Sequence, residues 1–209
     1  MGALSHATTG VGPPLREEAF SAGDVLMREG DFATHFRMIK LGTVFMSRTG
    51  SEGALRPVAI GGRGDVFGLC GFLKQPNQVS AVAGSSGRFC EISIESVSTL
   101  ARKDPAFRDR LGLAYSDNFG LVARWAEALG RRTVVAQVGA GMRLLAQDQH
   151  NTLVDIPSHT ALARLFGTTR ETVARSIGTL ETQGCVMRRS ARRCEVNLPR
   201  LGEWLASHP

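Results

Sequence analysis

The stretch Ser158–Val186, "SHTALARLFGTTRETVARSIGTLETQGCV", decides how this chain is read. Ala161, Leu162, Leu165 and Phe166 recur at three- and four-residue steps, which predicts one apolar stripe on a short helix. Gly167 then supplies the backbone freedom that a sharp reversal needs. In a second helix Val173, Ile177 and Leu180 fall at i, i+4 and i+7 and face inward, turning Arg170, Glu171, Ala174 and Arg175 outward. Two short helices about a glycine turn, the second with a polar outer face, predict a helix-turn-helix that enters the major groove of DNA. An arginine fork pairs with guanine O6 and N7 and a carboxylate accepts from cytosine N4, so Arg170, Glu171 and Arg175 are the expected base readers. Thr168-x-x-Glu171 also matches a capping box, in which Glu171 reaches back to the helix start, and the two roles can coexist.

Gly184 ends the second helix, and "CVMRRSARRCEVNL" reads as two short strands over a basic tip of Arg188, Arg189, Arg192 and Arg193. This hairpin is the expected wing. A phosphate backbone is a natural counter-charge for it, and a freely solvated loop is the plainer alternative. Leu201, Trp204 and Leu205 then share one face of a last helix, read as a cap over a small domain.

The run "TTRETVARSIGTLETQGCV" resembles the recognition helix and following turn of the Crp/Fnr family of bacterial transcription regulators, and the resemblance extends over most of the chain. Arg170, Glu171 and Arg175 match the base contacts of the cyclic-AMP receptor branch, which implies a TGTGA-like half-site. The Fnr branch usually lacks the first arginine and carries serine where this chain has Ala174, so its TTGAT-type half-site is not expected. The resemblance also implies phosphate contacts at His159, Thr160, Thr169 and Thr172, joined by Arg188 and Arg189 of the wing, and RNA polymerase as a partner beside double-stranded DNA.

Between Phe20 and about Leu100 the chain reads as short strands punctuated by glycines, a β-roll or barrel pattern. Glycines 23, 30, 42, 64 and 68 resemble the turns of the cyclic-nucleotide-binding jelly roll. The resemblance puts an effector pocket at Gly68, Leu69, Cys70, Val79 and Ser80. Cyclic-nucleotide members carry a glutamate just after that glycine and an arginine just before the serine, whereas this chain has Leu69 and Val79. Both anchors of a cyclic nucleotide are lost, so cyclic AMP is not the expected effector.

From Asp104 the chain takes helical spacing, and Leu111, Ala114, Asn118, Leu121, Trp125 and Ala128 recur at alternating three and four steps. That is the pattern of a two-stranded seam, and a homodimer would let paired helix-turn-helix units read a palindrome. An ordinary amphipathic helix packed on its own barrel is the alternative.

The expected fold is therefore α+β, with a mobile tail over residues 1–14, a cyclic-nucleotide-binding-like jelly roll over 15–104, a dimerisation helix over 105–137 and a winged helix-turn-helix over 138–209. A length of 209 residues with 43% hydrophobic content suits two modest domains. The net charge of +6 divides evenly, +3 on each side of residue 138, so DNA binding rests on the motif rather than on charge. No apolar run spans a bilayer and the opening lacks a secretory pattern, which makes a cytoplasmic protein without membrane association the expectation.

Cys70, Cys90, Cys185 and Cys194 form no CxxC pair, so no metal site is expected, and Cys90 reads as a small packed hydrophobe. If the hairpin turns at Arg189-Ser190, Cys185 and Cys194 oppose each other, and neighbouring arginines would lower a thiol pKa, a redox pair weighed against simple packing. Cys70 lies near the axial-ligand position of haem-containing family members, with His6 or His35 as the second ligand, although lone histidines are usually surface polar groups. A haem- or thiol-based gas or redox sensor of the same family is thus the alternative regulator, and a non-specific DNA-bending protein is the alternative outside it. No set of nucleophile, base and orienting group appears, so an enzyme is not expected.

Overall fold

A computed structural model describes residues 15–208, which divide into two compact units with the boundary between Val122 and Ala123. The tail expected over residues 1–14, with His6, lies outside the described residues.

The first unit is a β-roll of two four-stranded antiparallel sheets. One has the order β1 (Arg16–Phe20), β8 (Gly87–Ser93), β3 (His35–Leu41), β6 (Val66–Phe67). The other has β2 (Val25–Met27), β7 (Ser80–Ala83), β4 (Val44–Thr49), β5 (Leu55–Gly61). Strand alternation sorts the side chains of the first sheet into two cores. Ile39, Phe67 and Phe89 point into the roll, where they pack with Phe20, Val44, Ala81 and Ala83. Phe36, Val66, Met38 and Ile92 point the other way, onto Val97 and Ala101 of α1 (Ile94–Lys103) and Phe107, Leu111 and Ala114 of α2 (Pro105–Leu129). Cys90 lies on that second face and is half-buried.

Inside the roll, the cross-strand partners Arg37 and Glu91 form an ion pair of 2.9 Å that the sequence reading missed. The Arg37 guanidinium also donates to the Leu26 carbonyl at 2.8 Å and lies 5.1 Å from the centre of the Phe89 ring, so the buried carboxylate has its counter-charge and the cation its π-face.

The seam expected at Leu111, Ala114, Asn118, Leu121, Trp125 and Ala128 is corrected here: this stripe is spent within the chain. Leu111 and Ala114 belong to the core beneath the first sheet, and Asn118 Nδ2 donates to the Val66 carbonyl at 2.9 Å. Leu121, Trp125 and Ala128 are each no more than 1% exposed. Sequence spacing cannot tell a stripe that meets a second chain from one that meets its own. Exposed apolar side chains of α2 lie off that stripe: Leu113 at 56%, Phe119 at 79% and Val122 at 37%, Phe119 and Val122 being neighbours three residues apart and Leu113 turned to the other side. The helix is also shorter than the expected 105–137: it ends at Leu129, and α3 (Val134–Asp148) starts afresh, its first turn capped by Thr133.

The second unit continues through β9 (Leu153–Asp155), α4 (His159–Leu165), α5 (Arg170–Thr182), β10 (Val186–Ser190), β11 (Arg193–Val196) and α6 (Leu198–Ser207). Its core includes the anticipated Leu162, Leu165, Val173, Ile177, Leu180, Leu201 and Leu205. Gly141 on α3 admits two aromatic rings, since a Cβ there would lie 2.9 Å from Phe166 and 3.4 Å from Trp125. The hairpin β10–β11 belongs to a three-stranded antiparallel sheet in order β10-β11-β9, the last strand being additional to the expected pair. Among the described residues no helix is long and apolar enough to cross a membrane.

Candidate nucleic-acid interface

The Ser158 hydroxyl caps α4 by accepting from the Ala161 amide at 3.2 Å, and the turn that follows passes through Gly167 at φ 62°, a left-handed conformation that disfavours side chains. The Thr169 hydroxyl then caps α5, accepting from the Thr172 amide at 3.2 Å and meeting Thr172 Oγ1 at 3.0 Å. This corrects the expected Thr168–Glu171 box: the cap falls one residue later, so Glu171 is in the first turn of α5 with its carboxylate exposed.

With Val173, Ile177 and Leu180 fully buried, the helix phase turns Arg170, Glu171 and Arg175 outward together. Arg175 makes only a long contact, 3.4 Å from Thr172 Oγ1, and among the described residues neither Arg170 nor Arg175 has a carboxylate at ion-pair distance. The face thus presents two uncommitted guanidinium groups and a carboxylate, the donors and acceptor that base edges require.

The wing is anchored to α5 by Glu181, whose carboxylate accepts from the Arg188 amide at 2.9 Å. Its four arginines are not equivalent. Arg189 is ion-paired with Glu195 and Arg193 with Asp155 at 2.7 Å, whereas Arg188 lies 4.0 Å from Glu181 and Arg192 has no carboxylate partner among the described residues. Arg192, which the sequence reading did not single out as a contact, is therefore freer to meet a phosphate than Arg189. Only the register, which decides who pairs with Glu195 and Asp155, separates them.

Between α4, α5 and the wing lies a concavity of about 310 Å³, lined by Ile156, Ser158, His159, Thr160, Arg170, Arg188, Ser190, Ala191 and Arg192. It brings the expected contacts His159, Thr160 and Arg188 together. Thr169 and Thr172 lie apart from this lining, at the start of α5. Partial burial holds the His159 imidazole below the usual histidine range, and the Arg188 and Arg170 charges push the same way.

The expected opposition of Cys185 and Cys194 is corrected by the register. Cys194 faces Arg188, and Val186 faces Val196, because the hairpin turns at Ala191-Arg192 rather than Arg189-Ser190, with a one-residue bulge between Arg188 and Ser190. Both thiols are fully buried. Burial raises the pKa of each and outweighs the lowering by Arg200 at Cys185 and by Arg188 at Cys194, the reverse of the expected activation.

At the expected effector elbow, Gly68 has φ 85°, and a Cβ there would lie 2.3 Å from the His35 carbonyl oxygen. Leu69 opens a 3-10 turn (Leu69–Leu73) and is buried in the core with Phe36, Val66 and Leu111. Val79 is half-buried, and the buried Ser80 hydroxyl accepts from the Glu29 amide at 3.0 Å. The Tyr115 hydroxyl donates to the Leu69 carbonyl, and burial, with Cys70 adding to it, pushes its pKa up to about 12. Cys70 is half-buried, and His35 Nδ1 is hydrogen-bonded to Thr34 at 3.0 Å. Among the described residues no three His, Cys, Asp or Glu side chains cluster as metal ligands.

A β-roll with a glycine-held elbow, followed by a winged helix-turn-helix with an exposed polar helix, is the architecture of a transcription regulator. Residues 17–104 match the cyclic nucleotide-binding domain family, and residues 140–204 match the Crp-like helix-turn-helix domain family. The chain belongs to the Crp/Fnr family of transcription regulators. Its fold is similar to that of FixK2 from Bradyrhizobium japonicum, with 23% identity, 91% of this chain and 96% of that one covered, and a TM-score of 0.77. It is similar also to a CRP-family transcriptional regulator from Thermus thermophilus, TTHB099, with 17% identity, 90% and 96% covered, and a TM-score of 0.71. The c-di-GMP-responsive global regulator CLP of Xanthomonas campestris shares 18% identity over 88% of this chain and 94% of its own, with a TM-score of 0.66. No curated protein matches the chain significantly in sequence.

Proposed function

We propose that this chain acts as a homodimeric, sequence-specific DNA-binding regulator that reads a palindrome of TGTGA-like half-sites and is not controlled by cyclic AMP. The observation that carries the reading is the outward face of α5, where Arg170, Glu171 and Arg175 are exposed together while Val173, Ile177 and Leu180 are fully buried. Arg170 and Arg175 take guanine edges and Glu171 a cytosine amino group. Backbone phosphates take His159, Thr160, Thr169, Thr172, Arg188 and Arg189, with Arg192 added and Arg189 weakened by its bond to Glu195.

A second copy covers the α2 face of Phe119 and Val122, which supplies the two-fold pair that a palindrome needs. Independence from cyclic AMP is supported by the elbow: Leu69 is committed to the core and Val79 offers no charge to a cyclic phosphate. The domain boundaries proposed are a sensor over 15–104, the connecting helix, and a DNA reader from residue 138, with RNA polymerase as the further partner. The test is fluorescence anisotropy with a TGTGA palindrome and a scrambled duplex of equal length, with and without cyclic AMP. Preference for the palindrome, unchanged by the nucleotide, is the expected result. Equal binding to both duplexes would refute the reading and leave the DNA-bending alternative.

A further inference from the structure

We propose that DNA binding by this chain is proton-linked through His159: a backbone phosphate seated between α4, α5 and the wing accepts a hydrogen bond from a histidine that takes up a proton as the phosphate arrives. The inference rests on the DNA-binding reading above and adds a condition to it. The seat is the 310 Å³ concavity, open enough for a phosphate group. Charged groups facing it come from three elements: Arg170 from α5, Arg188 from β10 and Arg192 from the wing turn. Among the described residues no carboxylate lines it. Of the acids on adjoining elements, Asp155 is held by Arg193 at 2.7 Å and Glu181 by the Arg188 amide at 2.9 Å, while Glu171 of α5, beside Arg170, is exposed outside the lining.

In the free protein His159 is a poor base, because partial burial and then the Arg188 and Arg170 charges oppose a further positive charge. The imidazole is accordingly neutral at neutral pH. A phosphodiester anion entering the seat offsets part of the arginine charge and accepts a hydrogen bond from the ring, both of which favour the imidazolium. The proton comes from solvent and sits on the ring nitrogen facing the phosphate. The phosphate thereby gains a charged donor that did not exist before it bound. Linkage then requires affinity to fall as pH rises between the free and bound pKa values, by no more than about tenfold per pH unit for one proton.

The experiment measures anisotropy with the palindromic and scrambled duplexes from about pH 5 to pH 8 at constant ionic strength, on the wild-type protein and on His159→Gln. An NMR titration of the His159 ring, free and DNA-bound, runs alongside. The wild type is expected to lose affinity as pH rises, the Gln variant to bind with a flat profile, and the bound ring to titrate at higher pH than the free one. Equal gradients in the two proteins, or a ring that titrates no higher when bound, overturn the inference. If the palindrome is still preferred in that case, the DNA-binding reading stands alone. If neither protein prefers it at any pH, that reading fails too.

Discussion

Replacing Phe119 with Asp separates the two faces of α2 by experiment. The ring is 79% exposed in the single chain. A phenylalanine buries about 150–250 Å², so covering that exposed share withdraws roughly 120–200 Å² per copy. At about 25 cal/mol per Å² this is worth roughly 3–5 kcal/mol. Interfaces realise only part of such area, because ordering and desolvation oppose it. Even one third of the lower figure, counted twice by two-fold symmetry, weakens a dimer about 30-fold. Phe119→Asp should therefore keep the wild-type circular dichroism spectrum while sedimentation velocity over a dilution series shows the dimer dissociating at much higher concentration. Trp125→Ala, on the buried face, should instead destabilise the fold by about 3–5 kcal/mol. A well-folded Phe119→Asp protein that dimerises as tightly as the wild type would refute the assignment of this face.

Thr169→Ala should lower stability by about 1 kcal/mol in denaturant melts, since it removes the cap of α5. Arg175→Ala should cost about 1–3 kcal/mol against the palindrome and relax discrimination at one base pair in competition binding. Arg192→Ala should weaken all duplexes alike and reduce the salt slope by about one, with Arg189→Ala smaller because Glu195 holds that guanidinium. The depressed His159 pKa makes free-protein stability complete above the unfolded value of about 6.5 and diminishing as pH falls through the folded value. Thermal melts without DNA should show this acid-side loss in the wild type and less of it in His159→Gln.

How far the sequence could be read depended on whether one element or two decided the outcome. The triplet Val173, Ile177 and Leu180 fixes the phase of α5 by itself, and it is buried as its spacing demands. Glycines 23, 30, 42, 64 and 68 all take positive φ, because a turn's backbone requirement is local. The α2 stripe was legible as apolar, but its partner was not, since Leu111 and Trp125 meet residues far away in the sequence. Wing register failed for a similar reason: the hairpin turns at Ala191-Arg192, two residues beyond Arg189-Ser190, and with the bulge between Arg188 and Ser190 this sets Cys194 opposite Arg188. Strand β9 and the Arg37–Glu91 pair left no local pattern at all, being products of strands that meet only in the folded chain.

That pair constrains how the roll can drift over evolutionary time. Losing Glu91 leaves the Arg37 cation against the Phe67 and Phe89 rings without its counter-charge, and losing Arg37 leaves a buried carboxylate unpaired, whereas exchanging both at once for apolar groups of equal bulk is thermodynamically mild. Positions 37 and 91 are therefore coupled like the teeth of two gears, and kindred chains should be found to alter them jointly or leave both alone.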